Sequence, residues 1–175
     1  GLFLNDNKLM TYVWSAPGTA ITIPTPLLND GQWHHVALTF QMISTNNQLY
    51  LDGVAVGSPF YMNSVNNSNN LNIGSNLTTQ YFNGNIDGVK VWSRRLTAAE
   101  ILDTYNCGTV STTNLIAHYN FDNNAIKNQN NTGITSALND TGAGYNGTLE
   151  NFTLNGTASN YVDNSTCTTL SVENV

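Results

Sequence analysis

The chain has 175 residues, with five Lys and Arg against 11 Asp and Glu, a net charge of −6 and only 9% charged residues. That length suffices for one sizeable core with a less regular tail. Only Arg94 and Arg95 adjoin among the basic residues, which excludes the cation clusters that nucleic acid requires. No apolar run approaches the roughly 20 residues of a membrane-spanning helix.

Short runs rich in Val, Ile, Leu, Tyr and Thr, separated by Gly, Pro, Asn and Asp clusters, occupy residues 9–14, 20–23, 34–41, 48–51, 54–57, 71–73 and 85–92. This spacing predicts an all-β sandwich or barrel. In Trp33-His-His-Val-Ala-Leu-Thr-Phe40, Val36, Leu38 and Phe40 share one face with His34, and Trp33, His35 and Ala37 share the other. Both faces are partly apolar, as in a central strand. Asp52-Gly53, between Leu49-Tyr-Leu and Val54-Ala-Val, marks a two-residue hairpin turn that needs positive φ. A helix is predicted over residues 98–105, with Thr97 as N-cap, Glu100 closing a capping box and Ile101, Leu102 and Tyr105 on the apolar side.

Beyond Cys107 the texture changes. One strand-like run covers residues 115–121, an Asn-rich stretch follows through Asp140, and a second run spans 147–154. Cys107 and Cys167 are the whole thiol inventory and lie outside any zinc-like spacing. They read as a disulfide or as two unpaired buried thiols. A disulfide would close a loop of about 60 residues, contribute on the order of 4 kcal/mol and imply an oxidising compartment. The chain starts at Gly1 without a charged and apolar leader, so any targeting segment is expected upstream or removed, and the sequence is expected to belong to a larger parent chain.

Four segments in order, Asn29-Asp-Gly-Gln-Trp-His-His-Val-Ala-Leu-Thr-Phe40, Leu49-Tyr-Leu-Asp-Gly53, Leu71-Asn-Ile-Gly74 and Phe82 through Ile101 with its Asn85-Ile-Asp-Gly-Val-Lys-Val-Trp92 core, resemble the laminin-G-like, pentraxin-related jelly rolls of concanavalin A type. The resemblance covers about residues 1–106. It implies an antiparallel two-sheet sandwich with one short helix, of which this stretch is the second half, and it places Trp33 and Trp92 in the core. Ala117-His-Tyr-Asn-Phe-Asp122 and Asn139-Asp-Thr-Gly-Ala-Gly-Tyr-Asn-Gly-Thr148 resemble the opening of such a jelly roll and a segment found in secreted Bacteroidetes proteins. The organisation is therefore expected to be a half jelly roll at 1–108, an opening-strand-like segment at 109–165 and a linker at 166–175. The middle segment either completes the sandwich, as in a circular permutation, or starts a second unit and leaves the first incomplete. Residues 168–175 are similar to linkers before a type IX secretion sorting domain, which would add that secretion machinery to the partners.

The resemblance also implies a structural calcium ion, with Asp87 in the late strand and Asp140 from the opening-like segment as ligands; the alternative is a hydrogen-bonded strand residue and a turn former. No catalytic residue is assigned. Glu100, Glu150 and Glu173 do not form the Glu-x-Asp-x-x-Glu pattern of the related hydrolases, and neither a G-x-S-x-G elbow nor a phosphate loop occurs. His34 and His35 point to opposite faces of a strand and are expected to be structural rather than a metal pair. Trp14, Tyr61, Tyr81 and Phe82, with Asn66 and Asn76 near them in sequence, are the candidate sugar-binding residues, since aromatic faces and amides suit a pyranose. Asn-x-Ser/Thr sequons recur at Asn66, Asn76, Asn130, Asn139, Asn146, Asn151, Asn155 and Asn164 and are expected by chance in so Asn- and Thr-rich a chain. The reading is a non-catalytic carbohydrate-binding or adhesion module of a secreted or cell-surface protein, with a glycan or surface partner. The alternatives are a spacer or filament segment of an adhesin and an accessory module of a secreted hydrolase.

Overall fold

The computed structural model describes residues 2–6, 8–13, 19–22, 25–62, 70–75, 81–121 and 129–156. Trp14, Asn66, Asn76 and Cys167 lie outside them. The described residues form antiparallel sheets and one short helix. They fall into two compact units interleaved along the chain: 2–62 with 95–111, and 70–94 with 112–156.

In the first unit, β1 (Leu2–Asn5), β2 (Lys8–Val13) and β3 (Thr19–Thr22) make one sheet, ordered as in the chain. A second contains β4 (Val36–Thr39), β5 (Ser44–Leu51) and β6 (Val54–Met62), also in chain order. The five residues from Asn47 to Leu51 are all buried, so β5 is the strand covered on both faces. The alternation in β4 suggested that role for β4 instead, but among the described strands β4 stands at the sheet edge, and Val36 and Phe40 are exposed. Pro59, which donates no ladder hydrogen bond, sits in β6, the opposite edge. Leu9 from β2 packs with Leu49, Phe60 and Met62, flanked by Leu28, Leu38 and Val56. Trp33, assigned to the core by resemblance, is 38% exposed.

Asp52 and Gly53 have φ of 50° and 78°, the positive pair of a type I′ turn. A Cβ on Gly53 would lie 2.8 Å from Leu102 Cδ1 and 3.2 Å from Tyr105 Cβ, so the turn and α1 (Ala98–Tyr105) pack at glycine distance. The helix starts as its sequence dictates: Thr97 Oγ1 accepts the Glu100 N–H at 3.2 Å, and the Thr97 N–H donates to the Glu100 carboxylate at 2.8 Å. Arg95 reaches the Asn46 carbonyl on β5. Cys107 follows in the turn after α1, with φ 58°.

In the second unit, β7 (Val89–Trp92) pairs with β8 (Leu115–Tyr119), joining the late strand of the 82–101 motif to the strand-like run beyond Cys107. Lys90 lies opposite His118 and Val91 opposite Ala117. The run at 71–73 forms no named strand; an isolated bridge joins Ser75 to Tyr81. Two short strands, β9 (Ser136–Ala137) and β10 (Gly147–Thr148), pair with each other. Ala117, Tyr119 and Ala137 form the core here, covered by Val89, Val91, Phe121 and Leu149.

Candidate functional site

Strand β8 alternates Ala117 and Tyr119 into the core, so His118 points the other way and is half-buried. Past β9, the chain turns at 139–146 and returns to β8: the Asp140 N–H donates to the His118 carbonyl at 2.8 Å. Asp140 Oδ2 accepts the Asn120 N–H at 3.1 Å and lies 3.7 Å from His118 Nδ1. With Thr112, Leu115 and Thr141, these two side chains line an open depression of about 370 Å³, near the lower end of small-molecule sites, roughly 300–1,000 Å³. Burial holds the His118 pKa below the ordinary imidazole value, and Lys90 across the ladder pushes the same way; Asp140 and then Asp87 oppose them. The ring is therefore neutral at pH 7, one nitrogen donating and one accepting.

Asn139 holds the turn in place. It is 6% exposed, and its Oδ1 accepts the His118 N–H at 2.9 Å, the Thr141 N–H at 3.2 Å and the Thr141 hydroxyl at 3.0 Å. Its Nδ2 donates to the Ile116 and Gly144 carbonyls at 3.2 and 2.8 Å. The amide thus fills its hydrogen-bonding capacity while tying the turn to the strand. The sequon at Asn139 is closed by the same contacts, since the nitrogen a glycan would take is buried and engaged. On the same turn Tyr145 is 72% exposed, with φ 56°, while its carbonyl accepts the Tyr119 hydroxyl at 2.6 Å.

The sequence-predicted residues distribute unevenly. Asp140 lines the depression; Asp87 is half-buried, acts on the same imidazole, and accepts the Gly88 N–H at 2.7 Å. Calcium takes six to eight oxygens, and among the described residues no three His, Cys, Asp or Glu side chains group as a metal site. Tyr61, in the first unit, is exposed. Tyr81 and Phe82 are exposed in the second unit, Phe82 with its ring over Gly84. Sequence reasoning did not single out Thr112, Leu115, His118 and Thr141, which line the depression with Asp140, nor exposed Tyr145 on the same turn. The signal available was the glycine-rich Asp140-Thr-Gly-Ala-Gly-Tyr145 turn with one aromatic at its end.

A family model described as "Concanavalin A-like lectin/glucanases superfamily", of laminin-G type, matches residues 1–102. The chain belongs to this superfamily. The architecture agrees with it, in antiparallel sheets with one short helix among the described residues. No curated protein matches the chain. Among solved structures, an S-layer domain-containing protein from Clostridium thermocellum (residues 221–444) is similar, at 21% identity and a TM-score of 0.34 over 60% of this chain. The match spans 61% of that chain. Among the described residues, no helix is long and apolar enough to cross a membrane.

Proposed function

We propose that this concanavalin A-like chain is a non-catalytic carbohydrate-binding module of a secreted or cell-surface protein, and that its site is the depression at His118, Asp140 and Thr141. The observation that carries the reading is the lining itself. The Asp140 carboxylate and the His118 imidazole share the lining with Thr112, Thr141 and Leu115, a mixture of donors, acceptors and apolar surface that suits the hydroxyls and C–H face of a sugar. Exposed Tyr145 on the same turn supplies an aromatic face of the kind that stacks on a pyranose. Tyr81 and Phe82 form a second candidate platform in the same unit.

The test is a glycan array followed by calorimetry on the best hit, with the Asp140→Asn, Thr141→Ala and Tyr145→Ala variants. Binding weakened at least tenfold by Asp140→Asn and Tyr145→Ala, with the fold intact, supports the reading. An array without hits, or affinity indifferent to all three changes, overturns it in favour of a spacer role. Calcium belongs to the proposal through Asp87 and Asp140, its remaining oxygens coming from carbonyls and water. A thermal midpoint raised by calcium and indifferent to calcium in Asp140→Asn supports that part; a midpoint indifferent to calcium in the parent chain removes it. The proposal also pairs Cys107 with Cys167, which thiol labelling before and after reduction checks.

A further inference from the structure

His34 belongs to the first unit, and both of its ring nitrogens face carboxylates. Nδ1 lies 2.9 Å from Asp52 Oδ2, and Nε2 lies 3.3 Å from Asp30 Oδ1. The carboxylates are themselves held. Asp52 Oδ1 accepts the His35 N–H at 2.9 Å, and the Asp52 N–H donates to the His35 carbonyl at 2.8 Å. Asp30 Oδ1 also accepts the Gln32 N–H at 2.9 Å, closing a tight turn at Gly31, φ 78°.

Carboxylates only accept, so the imidazole must donate through both nitrogens, and only the imidazolium does that. A neutral ring keeps one donor. The shorter contact, to the doubly anchored Asp52, is the one it retains, which leaves an Nε2 lone pair facing the Asp30 carboxylate. We propose that His34 is a proton-operated latch, tying the 30–32 loop to the β5–β6 turn when both nitrogens are protonated and releasing the Asp30 side when one proton leaves. The charged groups acting on the ring are Asp52 from the hairpin turn and Asp30 from its own loop. From α1, Tyr105 faces the neighbouring His35, with ring centroids 6.2 Å apart.

The direction of titration agrees with the geometry. The hydrogen bond to Asp52, with a smaller contribution from Asp30, raises the His34 pKa above 6.5 despite some burial. Stability from the latch is therefore fully present below 6.5 and is lost as pH rises through the raised value. The Asp30 pKa is lowered, chiefly by the Gln32 N–H, so its share disappears only as pH falls through that lowered value. The latch holds in the mildly acidic window between the two.

The test is a pH titration of the His34 ring nitrogens by NMR, alongside amide hydrogen exchange at residues 31–33 corrected for intrinsic rates. The expected result is a doubly protonated ring at pH 6, and protection at Gln32 that falls as the ring titrates. Asp30→Asn, on an exposed loop, shifts the His34 titration to lower pH and removes the pH dependence of protection while leaving the fold intact. Asp52→Asn shifts it further. A ring already neutral at pH 6, or a titration unmoved by Asp30→Asn in a folded chain, overturns the proposal.

Discussion

Replacing Asn139 with Ala removes five side-chain hydrogen bonds in one step. The His118 N–H loses its partner inside a strand, and the Ile116 and Gly144 carbonyls lose donors. The Thr141 contacts are the least costly, because Thr141 lines the open depression and water can replace them. An unsatisfied buried N–H costs about 1–3 kcal/mol, and each ordinary hydrogen bond adds roughly 0.5–1.5 kcal/mol. With hydration of the exposed partners allowed for, the expected loss is about 3 kcal/mol. At ~2–4 °C per kcal/mol for a chain of this size, that lowers the midpoint by about 6–12 °C. Urea denaturation followed by circular dichroism measures it, and amide exchange locates it, with protection lost first at His118 and Thr141. A loss below ~1 kcal/mol with native-like exchange at His118 would show that Asn139 does not hold the turn, and would refute the reasoning.

Three further outcomes are expected. Asn47→Ala should destabilise the first unit by about 2–4 kcal/mol, because Asn47 is fully buried and its amide serves the Gln41 N–H and the Ser44 and Phe60 carbonyls; denaturant titration reads it. Gly53→Ala should cost about 1–3 kcal/mol through positive φ and the approach of Leu102 and Tyr105, while Val54→Ala, at an exposed neighbour, should stay within ~0.5 kcal/mol; thermal unfolding of the pair separates turn strain from a general effect. The His118 pKa is lowered in the folded chain, so the unfolded chain binds more protons as pH falls through 6.5. The second unit should therefore lose stability on acidification, opposite in sign to the His34 contribution. His118→Gln should flatten that dependence in amide-exchange stabilities at β8.

Local chemistry made much of the fold legible. Thr97 and Glu100 define the helix start because both capping bonds close within four residues, and Asp52-Gly53 defines the hairpin because the turn depends on two φ angles. Short apolar runs bounded by turn residues located the strands from β2 to β8 to within a few residues, though β5 and β6 extend beyond the predicted segments, β7 begins later than its run, and the run at 71–73 forms no strand. Asp140 came forward only through the family resemblance, as a calcium candidate, and it lines the depression. Side-chain alternation did not give the place of β4: an apolar residue on each face marks a strand as able to be covered, whereas its place at the edge of its sheet among the described strands depends on which neighbours pair with it. Val36, Phe40 and Trp33 are exposed, and the covering falls on Asn47 through Leu51.

The sequence by itself therefore determined the secondary-structure class, the cap, the turn and the superfamily, all of which rest on short-range geometry and ordered motifs. Tertiary structure alone decided that the 115–119 run pairs with the 89–92 strand, that Asn139 is a buried clamp rather than a sequon, and that His118, Asp140 and Thr141 line one depression. It likewise decided that Asp30 and Asp52 close on His34 from two sides. The reason is the same in each case: beside its local contacts, each of these side chains has a deciding partner 18 or more positions away, Asp52 for His34, the Ile116 carbonyl for Asn139 and Asp140 for His118, brought within 4 Å only when the chain folds back on itself.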